Sequence, residues 1–346
     1  MRFTKKLTSI FLSLSMVASV VSVGAVTAAA ESETVVTYAQ KTIQGSAVLH
    51  CFDWSYNSIK ANLPYIAAAG YTAVQTSPVQ APKDYNSSWT DGGGQWWKLY
   101  QPLGMSIADG NTWLGTKEEL TELCAEADRY GIKVIVDIVA NHLANNGTDG
   151  GTYEYLNSGV DEYFKNSDYF HNHNEYTNGD SRYTITQYHL GMPDLNTGND
   201  NVQRMVLDLM KDCVDCGVDG FRFDAAKHIE LPDDENCGSN FWPTVINGIK
   251  TYAGDVFCYG EILNSAGPDT DIGKYTQYMA VTDNYTGDRA LDKTVYKAAS
   301  ELASSTYYKG ASADKSVLWV ESHDTYMGDS GSAGIKNTKS VLRTSS

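Results

Sequence analysis

The stretch Gly220-Phe221-Arg222-Phe223-Asp224-Ala225-Ala226-Lys227-His228 sets an arginine and an aspartate two residues apart in an apolar run, with a lysine and a histidine directly after. Residues two apart in a strand point to one side, so Arg222 and Asp224 share a face. A carboxylate beside a fixed guanidinium is held ionised at neutral pH, which suits a nucleophile. The plain alternative is a structural ion pair, since such pairs are common and catalytic ones rare. Three more apolar runs end in polar residues: Asp137-Ile138-Val139-Ala140-Asn141-His142, Gly260-Glu261 and Glu321-Ser322-His323-Asp324. Four such ends in order are hard to ascribe to coincidence. Cleavage of a glycosidic bond with retention needs a nucleophile and a proton donor of raised pKa, their carboxyl groups about 5–5.5 Å apart. Neighbouring strands ending in Asp224 and Glu261 can supply that separation.

The elements that must position these groups alternate between β-rich and amphipathic helical runs, the pattern of a parallel sheet covered by helices. Strands are expected at 47–54, 71–76, 133–139, 218–224, 256–263, 279–282 and 317–322. Helices are expected at 59–69, 116–130, 202–216, 241–252 and 289–303. Thr116 with Glu119 reads as a capping box, and Gly131 as the stop. Lys133–Val139 is almost wholly apolar, as in a strand buried on both faces. Residues 86–111 read as a long loop rich in Gly and Trp. Residues 144–196 interrupt the alternation with Asn, Gly, Asp and Tyr over a length beyond an ordinary loop, and are expected to form a small inserted subdomain. Polar residues at the C-terminal strand ends suggest a (β/α)8 TIM barrel, whose catalytic groups sit there. Seven strands are legible and an eighth is not, so the barrel is expected to stop short of closure.

The ordered motifs resemble the conserved regions of the α-amylase family of retaining glycoside hydrolases, glycoside hydrolase family 13. Val136–His142 is similar to the first region, Gly220–His228 to the second, Tyr259-Gly260-Glu261 to the third and Val320–Asp324 to the fourth. Met192-Pro193-Asp194-Leu195-Asn196 resembles a further short motif near the end of the insertion. The similarity runs from about Ala47 to Tyr326 and is greatest to the secreted bacilli-type members. It implies roles residue by residue. Asp224 would be the nucleophile, Glu261 the acid and base, and Asp324 the stabiliser of the distorted sugar. Arg222 would orient Asp224 and keep it ionised. His142, His323 and Lys227 would bind sugar hydroxyls, the last on the leaving-group side. Tyr100-Gln101-Pro102 resembles the family's stacking platform, a ring face against a pyranose; Trp96 and Trp97 would extend it or pack in the core. Asn141, Asp194 and the main-chain carbonyl of His228 match the family's Ca2+ site, hard oxygen donors suited to that ion. The implied activity is internal hydrolysis of α-1,4-glucosidic bonds in starch- or glycogen-type glucans. Glycosyl transfer by the same residues, and an inactive or glucan-binding fragment, are the competing readings.

Composition narrows the partners. The net charge is −16, which disfavours nucleic acid and anionic membranes. Arg2, Lys5 and Lys6, an apolar run to about Val26 and Ala28-Ala29-Ala30 read as a secretory signal over residues 1–30, with catalytic segments 31–143 and 198–346 flanking the insertion at 144–197. The mature chain is expected to be an extracellular monomer without a membrane anchor. Cys51, Cys124 and Cys258 lie in apolar patterns, as buried thiols do. Cys213 and Cys216, in a helical pattern, have no second ligand pair to make a zinc site, and the pairing of the six cysteines is left open. A metal-dependent barrel hydrolase is disfavoured because the first strand ends in His50-Cys51-Phe52-Asp53 rather than a His-x-His pair.

Overall fold

The computed structural model describes residues 43–86, 95–176, 181–262, 272–282, 311–317 and 323. The signal at 1–30, the helix expected at 289–303, the strand beyond Val317 and Asp324 lie outside the described residues.

Nine strands are described: β1 Val48–His50, β2 Ala73–Pro78, β3 Gln80–Pro82, β4 Pro102–Ile107, β5 Lys133–Val139, β6 Gly220–Asp224, β7 Phe257–Gly260, β8 Ala280–Thr282 and β9 Ser316–Val317. Seven form one sheet in the order β1-β2-β5-β6-β7-β8-β9, and every neighbouring pair in it is parallel. Parallel neighbours need crossovers, and the helices Tyr56–Ala68, Lys117–Arg129, Asp200–Asp215 and Phe241–Ala253 provide four of them. This is the strand–helix repeat of a partial (β/α)8 barrel.

Each crossover helix is apolar on the face that meets the sheet. Asp200–Asp215 buries Val202, Val206, Leu209, Met210 and Cys213 at helical spacing. Lys117–Arg129 starts at the expected capping box: Thr116 Oγ1 accepts from Glu119 N at 3.1 Å, and Glu119 Oε2 accepts from Thr116 N at 2.8 Å. The first helix begins at Tyr56, three residues earlier than its apolar spacing suggested, because Ser55 caps it by accepting from Ser58 N.

Residues 86–111 are not all loop. They contain a 3-10 turn at Trp96–Tyr100 and β4, which pairs antiparallel with β3 across a register shift. Residues 144–196 hold 3-10 turns, the short helix Arg182–Gln187 and isolated bridges that include His142–Asp194 and Phe170–Leu195. Phe164, Tyr169, Phe170 and Leu195 of this segment join the same apolar cluster as the sheet and its helices. All six cysteines are unpaired thiols, five of them buried.

Candidate active site

Three neighbouring strands deliver the charged centre. β5 and β6 pair in register, with Asp137 opposite Arg222 and Val139 opposite Asp224. Asp219 secures that register from below by accepting from Val134 N at 2.9 Å and from Lys133 Nζ at 2.7 Å. β7 follows with Gly260 opposite Phe223, and Glu261 N donates to Phe223 O at 2.9 Å. Arg222, Asp224 and Glu261 therefore converge at the C-terminal edge of the sheet.

Arg222 is shared among three carboxylates. Its Nη1 donates to Asp137 at 2.9 and 2.7 Å and to Asp224 Oδ1 at 2.8 Å, while Nη2 pairs with Glu261 Oε1 at 2.9 Å. Glu261 Oε2 also accepts from Ala225 N at 3.0 Å. That amide is aimed there by a left-handed backbone at Ala225, φ +48°, a conformation that costs a non-glycine residue energy and recurs at functional sites. Sequence reasoning assigned Arg222 to Asp224 alone and missed Asp137 as its second buried partner, although Asp137 stands inside the first motif.

Sharing changes the electrostatics from those expected. Burial pushes the Asp224 carboxyl well above its usual range, Arg222 pulls it back, and the charges of Glu261 and Asp137 push it up again. Asp137 is raised to about 6, chiefly by burial, against the opposing pull of Arg222. One guanidinium does not neutralise three carboxylates, so the cluster favours keeping a proton.

A cavity of about 420 Å³ opens on this cluster, lined by Trp96, Trp97, Tyr100, Gln101, His142, Asp224, Lys227, His228, Glu261 and His323 among others. Tyr100 donates to Asp137 Oδ2 at 3.1 Å. Its ring is stacked on His323, centroids 4.8 Å apart, and the Arg222 guanidinium lies 5.9 Å from the ring centre. Trp97 is 42% exposed and has the ammonium groups of Lys83 and Lys98 near its ring. His142 Nε2 donates to the Tyr100 carbonyl at 3.0 Å, which leaves Nδ1 as an acceptor, and that atom is buried with no partner among the described residues. Burial lowers the His142 pKa to about 4, so the ring is neutral near pH 7. Gln101 Oε1 is a second buried acceptor without a described partner. Two unpaired acceptors beside the exposed Trp97 ring suit a ligand that carries both hydroxyl donors and apolar C–H faces.

Of the residues matched to a Ca2+ site, Asn141 and Asp194 meet directly: Asn141 Nδ2 donates to Asp194 Oδ1 at 3.0 Å, and His171 Nδ1 bonds Asp194 Oδ2 at 2.8 Å. His228 is fixed separately, its Nδ1 donating to the Ile185 carbonyl at 2.7 Å. A carboxylate, an amide and a main-chain carbonyl are the kinds of oxygen donor a hard cation takes, and the Asn141 amide would have to turn to present its oxygen. Burial raises the Asp194 carboxyl to about 6, the direction that a nearby cation reverses. Among the described residues no cluster of three His, Cys, Asp or Glu side chains is arranged to hold a metal.

Comparison with known proteins matches this arrangement to a class. Residues 53–309 match the model of the α-amylase catalytic domain. The chain belongs to that family. An α-amylase of Clostridium acetobutylicum is 37% identical over 91% of this chain and 41% of its own length, and one of Butyrivibrio fibrisolvens is 36% identical over 84% of this chain and 32% of its own. The chain thus spans less than half the length of either relative. The crystal structure of wild-type α-amylase I from Eisenia fetida superposes with a TM-score of 0.61 at 20% identity, covering 83% of this chain and 60% of that one. At that identity the likeness is one of fold.

Proposed function

We propose that the protein is an exported α-amylase that cleaves internal α-1,4-glucosidic bonds of starch- and glycogen-type glucans with retained configuration. The observation that supports this reading most directly is the single Arg222 guanidinium bonded to both Asp224 and Glu261 at the floor of an aromatic-walled cavity. A glucan offers pyranose C–H faces to Trp96 and Trp97, and hydroxyls to His142 Nδ1 and Gln101 Oε1. Asp224 attacks the anomeric carbon while Glu261 passes its proton to the departing glycosidic oxygen, leaving a glycosyl ester on Asp224. Glu261, now a carboxylate, takes a proton from water, and that water opens the ester and frees Asp224. Lys227 and His323 bind hydroxyls flanking the scissile bond, and Asp324 supports the distorted sugar, a role resting on the motif it ends. Asn141, Asp194 and the His228 carbonyl would hold Ca2+, which supplies a fixed positive charge joining the β5 end to the loop after β6.

Purified protein should release α-configured maltooligosaccharides from soluble starch, read by NMR at the anomeric proton. Asp224→Asn and Glu261→Gln should each lower turnover by at least ~10². Wild-type turnover in both variants overturns the reading. Products longer than a defined oligosaccharide substrate would mark glycosyl transfer instead, and glucan binding with no turnover would mark a binding protein.

A further inference from the structure

The loop after β6 carries Lys227 and His228, and one buried arginine holds it from the far side. Arg182 opens the short helix Arg182–Gln187, and its side chain is 11% exposed. Its Nη1 donates to the Lys227 carbonyl at 2.5 Å and its Nη2 to the Ile229 carbonyl at 2.9 Å. Nε donates to Asp234 Oδ2 at 2.8 Å, and the same oxygen accepts from Leu231 N at 2.7 Å. Tyr275 closes the group, its hydroxyl donating to the Ile229 carbonyl at 3.1 Å while it accepts from Arg182. Further along the helix, Ile185 O binds His228 Nδ1, and Gln187 Nε2 donates to Glu230 Oε1 at 2.6 Å. The helix therefore grips residues 227, 228, 229 and 230 in succession.

We infer that Arg182 is a positioning residue for the leaving-group side of the cleft, acting through Lys227 and not on substrate. Two carbonyls flanking His228 are tied to one rigid planar fork, which fixes the peptide planes on both sides of that residue. The same loop reaches Glu261 at two points, through Ala225 N to its carboxylate and through Lys227 N to its carbonyl at 3.3 Å. Freeing the 227–229 carbonyls therefore lets the Lys227 ammonium wander from the departing sugar while β6, and Asp224 at its end, stay fixed by their sheet partners.

The kinetic consequence rests on the proposed hydrolase activity; the positioning itself does not, so the test reads both. Hydrogen exchange in Arg182→Gln and Arg182→Lys should speed up at least ~10-fold at amides 227–231, with β5 and β6 amides unchanged. In a maltooligosaccharide whose leaving group is a sugar, kcat/KM should fall ~10-fold or more. In an aryl maltoside, whose phenolate leaves without Lys227 or a proton, it should change less than about threefold. Adding Arg182→Gln to Lys227→Ala should cost nothing beyond Lys227→Ala alone. Unchanged exchange at 227–231 overturns the positioning. Equal loss on both substrates, or additive losses in the double variant, overturns the role through Lys227. A wild type that turns over neither substrate while the exchange still responds would count against the proposed activity only. If Arg182→Gln fails to fold, Arg182→Lys, which keeps the charge beside Asp234, carries the same readings.

Discussion

At Arg222 both terminal nitrogens of the guanidinium are engaged: two bonds to Asp137, one to Asp224 and a pair with Glu261. Asp137 is thus an electrostatic neighbour of the reacting carboxyls without reaching substrate. Replacing it by Asn removes a negative charge that pushes the Asp224 carboxyl up, so the Asp224 pKa falls. The acid limb of the pH–rate profile, which reports ionisation of the nucleophile Asp224, should move further toward acid in Asp137→Asn by about one unit; a limb that stays in place or moves toward alkali contradicts this electrostatics. His142 makes a second residue-level prediction. Its pKa is depressed to about 4 from 6.5, so its stabilisation is complete above pH 6.5 and is lost as pH falls through 4. Up to roughly 3 kcal/mol of stability is at stake at this site. Denaturant titrations at pH 7 and pH 4 should show a smaller acid-induced loss in His142→Asn than in the wild type.

Among the elements, β7 leaves the least room. A methyl group on Gly260 would lie 2.8 Å from Ala226 Cβ and 2.7 Å from Met279 Cε. Met279 can swing away, but Ala226 belongs to the turn that binds Glu261. Gly260→Ala should therefore cost about 1–3 kcal/mol in thermal or denaturant melts and lower kcat more than it raises KM. Elements built from local signals were legible in advance. The Thr116–Glu119 box declares its helix within four residues, and Lys133–Val139 is a strand whose bounds follow from its apolar run alone. β3 and β4 escaped because each contains proline and their pairing bridges a register shift that no alternation records. The site divides in the same way. Asp224, Glu261, His142 and Lys227 stand in motifs, whereas the sharing of Arg222 with Asp137 and the grip of Arg182 on residues 227–229 join segments far apart in sequence, which only packing brings together.

For the whole molecule, a bound cation should act as a clasp between segments. If Asn141, Asp194 and His228 hold Ca2+, stripping the protein with EDTA should lower its melting temperature by several degrees, and Ca2+ should restore it where Mg2+ does not, since the smaller ion demands tighter octahedral geometry. A melt indifferent to chelation would place the cation elsewhere or exclude it. The sheet also dictates when the site can exist. Asp137 and Arg222 are 85 residues apart, and between β5 and β6 the chain must lay down the whole segment that contains Arg182 and Asp194. Contacts this distant in sequence close slowly, because the intervening loop loses its entropy before any contact repays it. During synthesis β5 must wait with one edge unpaired until residue 224 has left the ribosome. The ion cluster that would cut glucan is then a late product of folding, and a chain arrested before that point presents a bare apolar strand to its neighbours.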